Sequence, residues 1–221
     1  MYLAKTQCHK VFFYIFTKRT QNTMNYLAHV YLSGNHHLLK IGNFMADSIK
    51  GNDYEKFDTE IKKGILLHRH IDSFTDSHPI YRQSKHRLHA KYGHYSGVIM
   101  DILYDHFLAK NWSKYSDEKL ENYADNFYKL LEENKSILTD RIISMMPYMI
   151  ARNWFVSYAT ISGMKMILFQ MDYKTKHRVN MQEAIVELQD FYVEFESEFF
   201  LFFEELILSC QQKTTELNEI L

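Results

Sequence analysis

The scarcity of helix-breaking residues constrains the fold of this chain more than any single motif does. Only 2 Pro and 7 Gly are spread over its 221 residues. Because Pro and Gly are the residues that most often end helices and form turns, their scarcity predicts helices joined by short connections. No stretch alternates apolar and polar residues as a half-buried strand would. The length suits one well-buried core. We therefore expect an all-α protein, folded as a single-domain helical bundle.

Apolar residues recur at the helical steps of three and four along most of the chain. This spacing predicts helices over about 25–32, 38–49, 58–76, 80–91 and 98–112, one capped by Ser116 and ending near Glu133, one capped by Thr139, and one starting near Met181. Pro147 should kink or divide the helix that Thr139 begins. The last helix carries a stripe of apolar and aromatic residues, which is typical of a face packed in a core.

The charge and the cysteine content exclude several classes of protein. The formal net charge is −1, so no overall field favours nucleic acid or an anionic membrane as a partner. No apolar run has the length of a membrane span. The two cysteines, Cys8 and Cys210, cannot make a disulfide framework, which favours a reducing compartment. We expect a cytoplasmic protein.

The first 23 residues differ from the rest of the chain. They are basic and contain no acidic residue, and their apolar run over 11–16 is shorter than the core of a usual signal peptide. They carry no chemistry that we can name. We expect Met24 to be the natural start, residues 1–23 to be an extension outside the core, and residues 24–221 to form the domain.

Residues 64–79, GILLHRHIDSFTDSHP, carry the first candidate site. His68 and Asp72 lie four residues apart and therefore project from one face of the predicted helix, which Asp76 continues one turn later. His and Asp are common metal ligands. An exposed His–Asp pair on a helix surface would show the same spacing, so both interpretations stay open for this segment.

A second segment repeats the arrangement against an apolar background. In DILYDHF, Asp101 and Asp105 lie four apart and His106 is adjacent. A buried Asp needs a cation, hydrogen bonds or water, so a metal site and a structural network compete here. His29 in NYLAHVYL and Asp47 in GNFMAD are weaker signals, since the first could be a core histidine and the second an acid that ends a helix. The coincidence of four such segments favours a metal centre.

Other metal and nucleotide sites fit the sequence less well. It has no Glu-x-x-His pair of the di-iron bundles, no HExxH, no GxxxxGK[ST] loop and no GxSxG elbow. Two distant cysteines exclude a Cys-rich zinc site. Mixed His and carboxylate ligands suit Mn²⁺, Fe²⁺ or Mg²⁺, ions that commonly handle phosphate esters.

The order and spacing of NYLAHVYL, GNFMADSIKG, GILLHRHIDSFTDSHP and DILYDHFLAKNW resemble the acyl carrier protein phosphodiesterase family. The later RNWFVSY is similar to a Trp- and Tyr-containing segment of that family. The resemblance covers residues 24 to the C-terminus and is more specific in the first half. It implies an all-helical fold related to the HD-domain metallophosphohydrolases. It also implies Mn²⁺-dependent hydrolysis of the phosphodiester that joins 4′-phosphopantetheine to a Ser of acyl carrier protein.

The resemblance also implies a set of site residues. His29, Asp47 and His68 are the first candidates for the metal centre, and Asp72 and Asp105 come next. Asp47 could hold the ion or orient a water, and His106 could act as an acid or base on the leaving Ser oxygen. The sequence departs from the HD pattern in one respect, because Ala46 precedes Asp47 and the only adjacent pair is the reversed Asp105-His106.

A basic segment follows the proposed metal helix. No acidic residue lies between Asp76 and Asp101, and the interval contains Arg82, Lys85 and Arg87. Since carrier proteins are acidic, we expect these three residues to bind the carrier protein, although such a run is also typical of a solvated helix face. Two alternatives to the implied reaction remain: another metal-dependent phosphohydrolase, acting for instance on a nucleotide, and a non-enzymatic helical binding protein.

Overall fold

The regular structure consists of helices, as the low content of Pro and Gly predicts. A computed structural model describes residues 26–221, in which all regular elements are α-helices and short 3-10 turns. The all-α prediction is therefore confirmed. The predicted extension, residues 1–23, lies outside the described part of the chain. Within 26–221, no helix combines the length and the apolar character that a membrane crossing needs.

We number the helices in chain order from the first one described. They are α1 (Tyr26–Leu32), α2 (His37–Met45), α3 (Thr59–Ser77), α4 (Pro79–Tyr92), α5 (Ser96–Lys110), α6 (Leu120–Glu133), α7 (Asp140–Ala151), α8 (Trp154–Ser157), α9 (Ile161–Met171), α10 (Ala184–Asp190) and α11 (Tyr192–Ile220). The first five match the predicted segments, except that α2 ends earlier. A 3-10 turn, Ala46–Ser48, follows it and carries Asp47.

Two features of the second half differ from the prediction. α7 runs through Pro147 without division, which leaves a kink as the predicted effect of this exposed residue. The helices α8 and α9 were not predicted. The final predicted helix is two helices, since the backbone leaves the helical conformation at Phe191. Its apolar stripe is buried as expected, except that Tyr192 is only partly covered.

Helices α2 and α3 cross so closely that their contact requires two glycines. A Cβ at Gly42 would overlap the backbone of Ile61, and one at Gly64 would overlap the carbonyl oxygen of Leu39. Gly inside a helix costs about 0.5–1 kcal/mol relative to Ala. The close approach offsets this cost through tight backbone packing, and it brings the fully buried Asn43 of α2 against α3.

A buried carboxylate joins α4 to α11. Glu198 of α11 accepts hydrogen bonds from Arg87 at 2.6 and 2.7 Å and from Gln83 at 2.8 Å. The hydroxyl of Ser84 also donates to it and lies 2.8 Å from the hydroxyl of Tyr104 on α5. Because both oxygens of Glu198 have partners, this charge can be buried without a large penalty. The network fixes α4, the basic helix, against α11.

Gly64→Ala should destabilise the protein, because the new methyl group has no room against the Leu39 carbonyl. Overpacking of this kind costs about 1–3 kcal/mol or more, which corresponds to about 2–4 °C in Tm per kcal/mol for a chain of this size. Gly97→Ala in α5 is the control, since a Cβ there meets only ordinary contacts at 3.8 and 4.0 Å. Thermal unfolding of both variants checks this, and an unchanged Tm for Gly64→Ala would contradict the close contact.

Candidate metal centre

Two histidines from different helices meet in the core. His29 of α1 and His68 of α3 are both buried, and their rings stack with centroids 4.2 Å apart. Each ring turns its Nδ1 toward the same atom, Oδ1 of Asn43, at 2.8 Å from His29 and 3.1 Å from His68. One side-chain amide of α2 therefore orients both imidazoles.

The other contacts of Asn43 fix which way its amide points. Its Nδ2 donates to the backbone carbonyl of His29 at 3.0 Å and to Oγ of Ser33 at 2.9 Å. Ser33 must accept this bond because its own hydroxyl donates to the carbonyl of His29. Oδ1 is then the acceptor for both histidines, so each carries its proton on Nδ1. Both Nε2 atoms are left for another partner.

Two carboxylates face the Nε2 atoms. Asp72 of α3 lies 3.3 Å from Nε2 of His29 and 3.2 Å from Nε2 of His68, and Asp47 lies 3.4 Å from Nε2 of His68. Nevertheless, Nε2 of both histidines, Oδ2 of Asp47 and Oδ1 of Asp72 are buried without a hydrogen bond. Four unpartnered polar atoms at one place are unusual in a native core.

The charges of this cluster depend on the contacts between its members. Burial opposes a charge on His68, but the carboxylates of Asp47 and Asp72 outweigh it and raise the His68 pKa to about 10. Burial and the neighbouring charge of His68 lower the pKa of His29. The pKa of Asp72 falls below its ordinary value, because the two histidines outweigh the effect of burial. When no cation is bound, His68 therefore carries a proton on Nε2 as well as on Nδ1.

The donor set fits a divalent metal ion. One ligand atom from each of His29, His68 and Asp72 lies within 4.8 Å of the other two. Asp47 lies beside them, 3.4 Å from Nε2 of His68. Neutral imidazoles with free Nε2 atoms and carboxylate oxygens are the ligands that Mn²⁺, Fe²⁺ and Zn²⁺ accept. A cation at this position would satisfy the unpartnered atoms of His29, His68 and Asp72. Its binding would displace the proton on His68, so it must be coupled to proton release.

The structure does not bring Asp105 into this cluster. Both of its oxygens accept backbone N–H groups of α1, from Leu27 at 3.0 Å and from Ala28 at 2.9 Å. Asp105 is fully buried, and burial raises its pKa well above the ordinary value. The carboxylate thus anchors the first turn of the helix that carries His29, which differs from the expected role as a ligand.

His106 is also engaged elsewhere. Its Nδ1 lies 2.8 Å from the carbonyl of Tyr158 and its Nε2 lies 2.9 Å from the hydroxyl of Tyr192. A backbone carbonyl can only accept, so Nδ1 carries the proton and Nε2 accepts from the tyrosine. Both nitrogens are satisfied by α11 and by the segment after α8. These contacts give His106 a structural task, in contrast to the expected acid or base.

The three basic residues of α4 that were predicted to bind the carrier protein differ in whether their charges are free to contact a partner. Arg87 is committed to Glu198 inside the protein, so the structure does not offer it to a partner. Arg82 is exposed and donates to the carbonyl of Asp76, and Lys85 lies 3.7 Å from the Asp76 carboxylate. Only the latter two cations lie at the surface beside the end of α3.

A separate cavity of about 600 Å³ opens beyond Ser33. Tyr31, Tyr115 and Tyr123 line it together with Lys40, its only basic residue. No residue of the His29 cluster lines this cavity, so it is distinct from the candidate metal centre. Its volume is large enough for a small ligand, and Lys40 and Glu118 are the charged residues of its lining.

Asn43 is the site residue that the sequence did not indicate. It lies within the GNFMAD segment, but an amide in an apolar stretch has no recognisable signature beside the neighbouring Asp47. A weak signal exists: Asn43 directly follows Gly42, and a Gly inside a helix suggests a close helix contact. A polar residue next to such a contact must find partners on the facing helix.

Comparisons with known proteins identify the family to which the chain belongs. A family profile described as acyl carrier protein phosphodiesterase matches residues 24–206. A protein of that name from Pectobacterium atrosepticum is 28% identical over 185 residues, which is 83% of this chain and 96% of that protein. The protein of the same name from Photorhabdus laumondii is 25% identical, covering 86% and 96% of the two chains. The one from Escherichia coli O157:H7 is 27% identical, covering 86% and 99%. No solved structure matches.

Asn43→Leu should weaken divalent-metal binding by about 10- to 100-fold, the usual effect of losing a group that orients metal ligands. The imidazoles would lose the acceptor that holds their protons on Nδ1. Calorimetric titration with Mn²⁺ measures the affinity, and ¹⁵N spectra of the histidine rings report the tautomers. Asn35→Leu, at an exposed position, is the control. Unchanged affinity and tautomers in Asn43→Leu would show that the amide has no such role.

Proposed function

Because the chain belongs to the acyl carrier protein phosphodiesterase family, we propose that it hydrolyses the phosphodiester between 4′-phosphopantetheine and a Ser of acyl carrier protein. The products are the apo carrier protein and free phosphopantetheine. The observation that carries this proposal is the group of four unpartnered atoms of His29, Asp47, His68 and Asp72. Phosphoester hydrolysis at neutral pH is a reaction for which proteins build such mixed His and carboxylate sites.

We propose His29, His68, Asp72 and Asp47 as the residues that hold the cation, with Mn²⁺ as the physiological ion and Mg²⁺ or Fe²⁺ as alternatives. When bound, such an ion polarises the phosphoryl group and lowers the pKa of water, which supplies a nucleophile at neutral pH. We expect the fold around this cluster to resemble that of the HD-domain metallophosphohydrolases.

The residues of the chain then have separate tasks. Asn43 holds the protons of both imidazoles on Nδ1 and keeps their Nε2 atoms directed at the cation. Asp72, about one-third exposed, lies on the side of the cluster that substrate can reach. Asp47 lies 3.4 Å from Nε2 of His68, where its carboxylate would either hold the cation or orient the attacking water. His106 takes no part, because both of its nitrogens are occupied.

The same centre could serve a nucleotide phosphohydrolase, which is the main alternative. Family membership favours the carrier protein as substrate, and the exposed cations of α4 favour an acidic macromolecule over a small molecule. We infer a cytoplasmic location from the substrate, and the buried free thiol of Cys210 agrees with a reducing compartment. The scheme requires no nucleic-acid or membrane partner.

Asp47→Ala should lower turnover of holo carrier protein by about 10²- to 10⁴-fold, the contribution typical of a positioned acid or base. The helical fold should survive, because Asp47 lies in a short turn after α2. Asp125→Ala, at an exposed position of α6, is the control. The assay compares holo carrier protein with several nucleotides, each with Mn²⁺ and with a chelator. Cleavage of nucleotides alone would support the alternative, and no metal-dependent turnover would refute both.

We further propose that Arg82 and Lys85 bind the carrier protein. Both contact Asp76, which is one helical turn beyond Asp72, so a partner held by them would lie beside the candidate centre. We do not assign this role to Arg87, the third predicted residue. Its replacement would leave the buried carboxylate of Glu198 without its ion-pair partner.

Reversing Arg82 and Lys85 to Glu should raise the KM for carrier protein and flatten its salt dependence, since exposed charges act mainly on encounter. Turnover of a small phosphodiester should stay the same. Reversal of Lys129 and Lys135, two exposed cations near α6, is the matched control. Equal losses on both substrates would place the first pair in the fold or the metal site instead of the docking surface.

A further inference from the structure

Arg141, at the start of α7, forms no ion pair within the described part of the chain. Its Nε and Nη2 atoms are buried and have no hydrogen-bond partner. Among residues 26–221, no carboxylate oxygen lies within the 4 Å of an ion pair with this guanidinium, although ion pairs are frequent elsewhere in the protein. Buried N–H groups of a guanidinium that lack an acceptor are costly. Its retention indicates an anionic partner that arrives from outside the chain.

Tyr26 links Arg141 to the candidate metal centre. This buried residue of α1 lies one turn before His29. Burial raises the pKa of Tyr26 to about 12; the charge of Arg141 and its contact with the hydroxyl oppose this rise, and the charge of Asp47 adds to it. Arg141 and Asp47 therefore both act on one tyrosine hydroxyl. Through Tyr26, Arg141 contacts the helix that carries His29.

The surroundings of Tyr26 offer a further free donor. The ring of Trp154 stacks on Tyr26, with centroids 6.2 Å apart, and the indole N–H is buried without an acceptor. Trp154 belongs to the RNWFVSY segment, to which no other role has been assigned. It follows Asn153, whose left-handed backbone (φ 41°) begins α8. The unpartnered Nε and Nη2 of Arg141 and Nε1 of Trp154 are all N–H donors, which is the chemistry that recognises an oxyanion.

We propose that Arg141 binds a non-bridging phosphoryl oxygen of the phosphodiester beside the His29, Asp47, His68 and Asp72 cluster. Its planar guanidinium presents parallel N–H groups that match phosphate geometry. It would orient the ester and stabilise the negative charge that increases on its oxygens during hydrolysis. The identity of the ester rests on the function proposed above, whereas the phosphate-binding role itself does not.

Binding of inorganic phosphate tests this role without turnover. In both metal-free and Mn²⁺-loaded protein, Arg141→Gln should lower phosphate affinity at least tenfold, and Arg141→Lys should lower it less. Arg178→Gln, an exposed arginine without an ion pair, controls for the loss of one positive charge. Calorimetry measures the affinity. Equal phosphate affinity in wild type and Arg141→Gln would overturn the proposal, and so would equal losses in Arg141→Gln and Arg178→Gln.

Chemical rescue separates phosphate binding from a structural role. Guanidinium ion should restore part of the turnover of a small phosphodiester by Arg141→Ala, because the ion can occupy the vacated position. Loss of activity without rescue, together with a lowered Tm, would mean that Arg141 supports the fold, and the proposal would fail. If holo carrier protein is not cleaved but phosphate binding still depends on Arg141, the proposed substrate is wrong and the phosphate site stands.

Discussion

The candidate site depends on one hydrogen-bonding arrangement, in which the amide of Asn43 is shared by two histidines. The arrangement requires α2 and α3 to approach within backbone contact, which Gly42 and Gly64 allow. A larger residue at either glycine would move the amide away from His68. Each glycine lowers helix stability by about 0.5–1 kcal/mol relative to Ala. In return, the close helix crossing places a polar group in the core.

The carboxylates of the apolar α5 explain how the first helix is held. Asp105 accepts both N–H groups of the turn that precedes His29, so this buried acid acts on the site through α1. Asp101 accepts a hydrogen bond from Tyr81, and burial raises its pKa to about 7 against the opposing effect of this bond. Asp105, which the sequence suggests as a metal ligand, therefore holds the helix of His29 in place and is not itself part of the cluster.

The sequence predicts the helices and most of the cluster because these depend on local pattern. His29, Asp47, His68 and Asp72 stand out as ionisable residues in apolar or helical segments, and the structure brings these four together. Asp105 shows the same pattern, but its partners are backbone groups almost eighty positions away, which no local spacing can reveal. The partner of Arg87, Glu198, is equally remote. The sequence pattern predicts no helix where α8 and α9 lie.

Charge balance connects the parts of the site. Asp47 and Asp72 supply two negative charges, and without a cation the proton on His68 offsets only one of them. A divalent ion would displace that proton and balance both carboxylates, since the imidazoles are then neutral. A phosphodiester brings one further negative charge into this buried region. Arg141, whose Nε and Nη2 lack a partner, is the group that we propose balances it, so a cation beside the proposed metal centre would have a use of its own.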